Sequence, residues 1–277
     1  MKMEIKYGDK ALALNEPKVM GILNYNPDSF YDGGKYSSQT EAIRQIELMI
    51  REGASIIDIG GMSSKPGAEI ISSEEELKRI LPLLKEALAL FPDAFFSIDT
   101  IHAETAIKCL DEGVQLINDI SGGSYDSKMF DVIARYKVPF VMMHMRGTPE
   151  KMQSLTSYND IIAEMKSYFE QKMEACERYG IEDVIIDPGF GFAKTMQQNF
   201  FILKHLSAFS YFQKPILAGL SRKSMIYKTL GNTAEEALNG TTSLNMVALL
   251  NGAKILRVHD VKAATETVKL FSAYQQA

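Results

Sequence analysis

Ser55-Ile56-Ile57-Asp58-Ile59 and, after an amphipathic stretch, Phe95-Phe96-Ser97-Ile98-Asp99 are the segments that decide the fold. Both are short runs, apolar on both faces and carrying β-branched or aromatic side chains. That is the pattern of a strand buried on each side of a parallel sheet. The stretch between them has helical spacing, and Ser73-Glu74-Glu75-Glu76 within it resembles a capping box. The same alternation continues in both directions. Apolar runs recur at residues 19–23, 115–117, 140–143, 184–186, 216–218 and 255–258, and helical patterns at 41–51, 103–112, 158–179, 234–250 and 261–274. Gly53, Gly113, Gly180 and Gly252 stand where helices of this set should stop. Ahead of the first run, Met3-Glu4-Ile5-Lys6, a Gly8-Asp9 turn and residues 11–14 predict a β-hairpin. Eight buried strands alternating with helices predict an α/β fold, a (β/α)8 TIM barrel with an N-terminal β-hairpin, as a single domain over residues 1–277. A doubly wound sheet would carry a glycine-rich turn after its first strand. Neither Gly60-Gly61 nor Gly122-Gly123 belongs to a GxGxxG or GxxxxGK[ST] pattern.

Composition narrows the function classes. Of 277 residues 46% are hydrophobic, which excludes wholesale disorder, and a formal net charge of −5 argues against nucleic acid as a general partner. The longest apolar run, residues 138–143, falls well short of the roughly 18 residues of a membrane span. The charged N-terminus lacks the apolar core of a signal peptide. Cys109 and Cys176 lie in separate helical patterns and read as unpaired core thiols of a reduced, cytoplasmic protein.

Polar residues gather where the strands end: Asn24, Asp58, Asp99, Asn118-Asp119, His144, Asp187, Ser221-Arg222-Lys223, then Arg257 and His259. Any one Asp or Asn there has an ordinary role as a helix cap or turn residue. As a set they would share one rim of a barrel, the face on which such enzymes place their active sites. Asp99, Asn118 and Asp187 supply two carboxylates and an amide, the complement of a heterocycle rich in N–H groups. Arg222, Lys223, Arg257 and His259 form a cationic group on the last two strands, where barrels often bind phosphate. The sequence has no HxxxH or CxxC metal pattern and no GxSxG elbow, and neither cysteine sits at a strand end. His102 and His205 fall in helical patterns and read as structural. The residues alone lead to a barrel that binds an N–H-rich heterocycle beside a phosphate or pyrophosphate.

Nearly end to end, the motifs resemble the dihydropteroate synthase family of the pterin-binding barrel superfamily. They are Met20-Gly21-Ile22-Leu23-Asn24 with Pro27-Asp28-Ser29-Phe30 and Asp32-Gly33-Gly34; Asp58-Ile59-Gly60-Gly61; Ser97-Ile98-Asp99-Thr100; and Ile117-Asn118-Asp119-Ile120-Ser121-Gly122-Gly123. Met143-His144-Met145-Arg146-Gly147-Thr148-Pro149, Asp187-Pro188-Gly189-Phe190-Gly191-Phe192-Ala193-Lys194, Ser221-Arg222-Lys223-Ser224 and Arg257-Val258-His259-Asp260 complete the set.

The resemblance implies condensation of 6-hydroxymethyl-7,8-dihydropterin pyrophosphate with 4-aminobenzoate to 7,8-dihydropteroate, with pyrophosphate leaving before the amine attacks. It implies pterin contacts at Asp99, Asn118, Asp187 and Lys223, and pyrophosphate contacts in the segment Arg257, Val258 and His259, with Mg2+ held through Asn24. It implies aminobenzoate contacts at Phe30, Ser64, Pro66, Phe190, Phe192 and Ser224. Asp99, Lys223 and Asp32 would act on the reaction itself. A homodimer through the last helices and sulfonamide sensitivity are implied as well. The rim loops depart from the family pattern. Tyr25-Asn26 stands where Val-Thr is usual, and Met62-Ser63-Ser64-Lys65 where Glu-Ser-Thr-Arg is usual. Alternative readings are a non-catalytic or altered-specificity pterin-binding paralogue, or a pterin-dependent methyltransferase of the same superfamily. A methyltransferase would not need Ser221-Arg222-Lys223 and Arg257-Val258-His259-Asp260 to hold pyrophosphate.

Overall fold

The computed structural model describes residues 3–25, 38–62, 69–147 and 151–277. The predicted hairpin forms from β1 (Glu4–Tyr7) and β2 (Lys10–Ala13), paired antiparallel about a turn in which Gly8 has φ +58°. A parallel eight-stranded sheet follows: β3 (Lys18–Asn24), β4 (Ile56–Gly60), β5 (Phe96–Asp99), β6 (Leu116–Asp119), β7 (Phe140–Met143), β8 (Val184–Asp187), β9 (Leu217–Ala218) and β10 (Ile255–Val258). β10 returns to pair with β3, and a parallel bridge between Ile186 and Ile216 closes the sheet into a barrel. The helices between and after the strands are α1 (Ser38–Arg51), α2 (Ser73–Leu90), α3 (Ala103–Asp111), α4 (Met129–Tyr136), α5 (Ile161–Tyr179), α6 (Met196–Lys204), α7 (Ser224–Leu230), α8 (Leu238–Leu250) and α9 (Val261–Gln276). Among the described residues no helix is long and apolar enough to cross a membrane.

Local chemistry fixes the helix ends. Asp160 accepts the Ile162 and Ala163 N–H groups at 3.0 Å to start α5, and Gly180 (φ +69°) stops it. The capping box forms at Thr195 and Gln198 of α6, not at residues 73–76. There Ser72 is the cap, accepting the Glu75 N–H at 3.2 Å, and Glu76 turns inward to accept the Thr100 hydroxyl at 2.6 Å. His205 ends α6 instead of lying within it.

Strand parity positions the site. Met20, Ile56, Phe95, Leu116, Val141, Ile185, Leu217 and Ile255, one per strand or immediately before it, form a buried layer plugged from below by Ile5 and Leu14 of the hairpin. Lys10 ties that plug to the barrel floor by donating to the Pro92 and Ala94 carbonyls at 2.6 and 2.8 Å. Intervening residues such as Val19, Ile57, Ile117 and Leu256 pack outward in the cluster that contains helix residues Ile46, Ile80 and Leu83. Side chains alternate along a strand, so two residues beyond the plug the barrel interior is lined again. That next layer is largely polar: Asp58, Ser97, Asn118, Asp187 and Arg257.

Candidate active site

Arg257 ties this polar layer together. Its Nε donates to Asp58 Oδ2 at 2.6 Å, its Nη2 donates to Asp99 Oδ2 at 2.6 Å, and Asn118 Nδ2 donates to the same Asp58 oxygen at 2.9 Å. Strands β4, β5, β6 and β10 are thereby joined across the mouth. Asp58 is fully buried and Asp99 nearly so. One guanidinium serving two carboxylates compensates them in a water-poor setting. Burial pushes Asp99 up to about 7; Arg257 pulls it back, and Asp58, Glu76 and Asp119 push it further. Burial lowers Arg257, but the Asp58 and Asp99 carboxylates more than offset that, so it stays above its ordinary value.

Asp187 lies beside this group at the end of β8. Burial raises its carboxyl, opposed by the Gly189 N–H, which it accepts at 2.7 Å, and by the charges of Lys223 and Arg257. Lys223 caps α7 in extended backbone and points back over the mouth, its Nζ 4.4 Å from the centre of the Phe192 ring. Its stem runs against Gly191, where a Cβ would stand 3.2 Å from Lys223 Cδ; with φ +84° the position suits glycine twice over. Burial lowers Lys223 to about 8, with Asp187 opposing.

His259, expected as part of a cationic group, forms a neutral hydrogen-bonded pair with Ser221. Ser221 Oγ accepts the His259 backbone N–H at 3.1 Å and lies 3.0 Å from His259 Nδ1. A hydroxyl that accepts the backbone N–H and donates to Nδ1 leaves the ring hydrogen on Nε2, directed away from Ser221. Burial, with Arg257 and Arg222 adding to it, lowers His259 to about 4, so the ring is neutral near pH 7. Arg222 departs from expectation. Held at φ +55° with its N–H on Thr241 Oγ1, it gives its guanidinium to Asp260 at 2.6 and 3.1 Å and is already paired.

The predicted residues divide accordingly. Asp99, Asn118, Asp187, Lys223, Arg257 and His259 gather at one mouth, with Phe192 at its edge in an apolar patch shared with Met143 and Ile120. Two others do not present side chains there. Val258, one residue out of phase with Arg257, packs outward among the helices, and Phe190 (1% exposed) belongs to that same core. Ser224 is exposed at the first turn of α7. Phe30, Asp32, Ser64 and Pro66 lie outside the described residues. Asp58 and Ser221 were expected on the rim with the other strand-end residues but were given no contact of their own, although Asp58 shares strand parity with Gly60 and Ile56.

For a divalent cation the mouth offers hard oxygens. A Cβ added to Gly60 would stand 3.4 Å from Asp99 Cβ and 3.8 Å from Asn24 Oδ1, so the Asn24 amide oxygen and the Asp99 side chain border the same bare stretch of backbone. Among the described residues no set of three or more His, Cys, Asp or Glu could cage a metal. That donor set fits Mg2+, which commonly takes one or two protein oxygens and completes its shell with water and substrate phosphate.

The family model for pterin binding enzymes matches residues 20–259. The dihydropteroate synthase of Synechocystis sp. is 44% identical over 258 residues, covering 92% of this chain and 89% of that one. Among solved structures, Yersinia pestis dihydropteroate synthase in complex with a sulfonamide drug superimposes with a TM-score of 0.93 at 36% identity, covering 99% of this chain and all of the other. Xanthomonas albilineans dihydropteroate synthase with 4-aminobenzoic acid gives 0.93 at 34% identity over the full length of both. The barrel, the polar mouth and these likenesses agree: the chain belongs to the family of pterin-binding enzymes, within its dihydropteroate synthases.

Proposed function

We infer that the chain condenses 6-hydroxymethyl-7,8-dihydropterin pyrophosphate with 4-aminobenzoate, giving 7,8-dihydropteroate and pyrophosphate. The observation that carries this reading is the Asp58–Arg257–Asp99 bridge with Asn118, beside Asp187 and Lys223. It puts acceptors for ring N–H groups next to cations for an anion.

In this reading Asp187, Asn118 and ionised Asp99 accept the N–H groups of the pterin, and the Lys223 ammonium donates to its acceptor edge. Arg257 and the Nε2–H of His259 face the pyrophosphate, joined by the backbone at Val258. Asn24 would hold Mg2+, which when bound with the pyrophosphate would help neutralise the departing anion. The C–O bond to pyrophosphate breaks first, and a nearby carboxylate such as Asp99 stabilises the positive charge developing on the ring. The neutral arylamine then forms the C–N bond and loses a proton to solvent or the released anion. No protein nucleophile is called for, and both cysteines lie in the outer helical core. Phe192 and Ser224 would border the arylamine. Phe30, Asp32, Ser64 and Pro66 are assigned to the site on the family resemblance, whereas Phe190, an arylamine contact by that resemblance, backs the site from the outer core.

A cytoplasmic homodimer is proposed as well. Free, buried Cys109 and Cys176 suit a reducing compartment, and exposed Leu250, Leu270 and Tyr274 on α8 and α9 suit a helix-mediated interface. The test is pyrophosphate release with and without 4-aminobenzoate, with the product identified by mass. Amine-dependent appearance of dihydropteroate is the expected result; release without incorporation of the amine would refute the reading.

A further inference from the structure

Lys194 closes the segment that begins at Asp187 and takes no part in the chemistry above. It is nonetheless buried, with its ammonium inside a cage of acceptors: the Phe192 carbonyl at 2.8 Å, the Gly189 carbonyl at 2.9 Å, His144 Nδ1 at 3.0 Å and the His144 carbonyl at 3.3 Å. A lysine desolvated this fully is costly unless it holds something in place.

What it holds is the turn over residues 189–193. That turn has left-handed backbone at Gly189 (φ +68°), Gly191 (φ +84°) and also Ala193 (φ +51°), where a side chain is strained. The turn is the part of the rim that touches Lys223, through Gly191 and through the Phe192 ring. Gly189 approaches so closely that a Cβ there would meet the His144 carbonyl at 2.3 Å. Behind the cage, the His144 ring is wedged against Tyr168 with centroids 4.9 Å apart, and the Tyr158 hydroxyl donates to the Ala193 carbonyl at 3.1 Å. The ammonium is therefore the central peg of a wall built from β7, β8 and α5.

We propose that Lys194, seated on His144, is a positioning residue that sets Phe192 and Lys223 at the mouth for the arylamine. The proposal rests on the dihydropteroate synthase reading. Its proton inventory gives it a signature. Burial, with Lys194 and Arg146 adding to it, lowers His144 to about 2, so the ring is neutral at any working pH, and the facing ammonium makes Nδ1 the acceptor while Lys194 is charged. Burial lowers Lys194 to about 7, Asp187 opposing and Lys223 and Arg146 assisting. Among the described residues the charged groups that bear on it are Asp187, Lys223 and Arg146, with the neutral His144 ring against it and the Tyr158 and Tyr168 phenols packed on that ring. As an ammonium, Lys194 has a hydrogen each for the Phe192 carbonyl, the Gly189 carbonyl and His144 Nδ1. As an amine it has two, and one tether is lost.

The experiment measures KM for both substrates in wild type and Lys194→Met, at about pH 6.5 and about pH 8.5, a window in which 4-aminobenzoate does not titrate. In wild type the arylamine KM should rise roughly 3-fold or more across that window while the pterin pyrophosphate KM follows a different profile. In Lys194→Met the arylamine KM should be about 10-fold higher at the lower pH and should rise clearly less across the window than in wild type, the remainder following Lys223 near 8, with the pterin KM at the lower pH within about 3-fold of wild type. A wild-type enzyme that turns over with a flat arylamine KM overturns the proposal even if the variant does not fold. A variant that loses kcat alone, or affinity for both substrates equally, overturns it too. Absence of any wild-type turnover would instead reject the underlying functional reading.

Discussion

Arg257→Met removes the guanidinium shared by Asp58 and Asp99 while keeping much of the aliphatic volume. Both carboxylates are held at 2.6 Å, one fully buried and the other 8% exposed. Breaking a buried pair by deleting one partner costs about 3–5 kcal/mol. At roughly 2–4 °C per kcal/mol for a chain this size, the melting temperature should fall by roughly 6–20 °C at alkaline pH. The loss also has a sign in pH. Asp99 sits at about 7 in the fold, above the ordinary carboxylate value near 4 that it regains on unfolding. A carboxyl raised by folding makes the native state bind the extra proton, so stability falls as pH climbs from about 4 to about 7 and then levels. Without Arg257 the upper edge of that window moves higher. Above pH 7 the variant should keep losing up to about 1.4 kcal/mol per pH unit where wild type has levelled. Thermal unfolding at acid, neutral and alkaline pH should show a deficit that widens with pH. Adding Asp99→Asn should reduce the widening by the Asp99 share. A deficit identical at every pH, or a melting temperature within about 2 °C of wild type at alkaline pH, would refute the reasoning.

Lys223→Ala and Asp99→Asn should each lower turnover at least about 100-fold in a pyrophosphate-release assay, because each removes a charge placed against the pterin. The profile of kcat/KM for the pterin substrate should be bell-shaped. It falls below about 7 as Asp99 gains a proton and can no longer accept on both oxygens, and above about 8 as Lys223 loses its charge. Asp99→Asn should erase the acid limb of the residual activity. Removing Mg2+ with a chelator should lower pyrophosphate release at least about 100-fold, yet leave calorimetric binding of a pterin lacking the pyrophosphate within about 3-fold.

The strands were legible because a buried parallel strand must be apolar on both faces, and no helix of four or five residues competes for such a run. The predicted run 216–218 narrows to Leu217–Ala218, with Ile216 forming the bridge that closes the barrel and accepting the Lys254 and Ile255 N–H groups. Helices α4 and α7 are short and went unpredicted, and α6, expected only as a helix around His205, spreads its apolar residues with little periodicity and so had no predicted bounds. At the site, residue type at strand ends was a fair guide, but direction was not read. Asp58 and Arg257 each lie two residues beyond a plug residue and so face inward, whereas Val258 lies one residue off and faces the helices. Parity would have turned Asp58 into the mouth and set Val258 aside. Lys194 was beyond any such signal, because its role depends on a turn whose left-handed residues fold carbonyls around it.

The mouth also explains how one arginine can serve both the carboxylates and an anion. A guanidinium carries five N–H donors, and the bonds to Asp58 and Asp99 use one on Nε and one on Nη2. Of the three that remain, one on Nη2 and one on Nη1 form the fork at the end of the group, so an incoming pyrophosphate need not break the bridge to be bound. The bridge fixes the fork in direction before substrate arrives, which lowers the ordering cost of binding. It also keeps the arginine charged at every working pH, whereas Asp99 near 7 and Lys223 near 8 can change state. A permanent cation on the leaving-group side and adjustable groups on the ring side suit a reaction in which the anion departs first. The demand for fixed charge is greatest where the C–O bond breaks, and the ring contacts need only be in the right protonation state when the pterin binds.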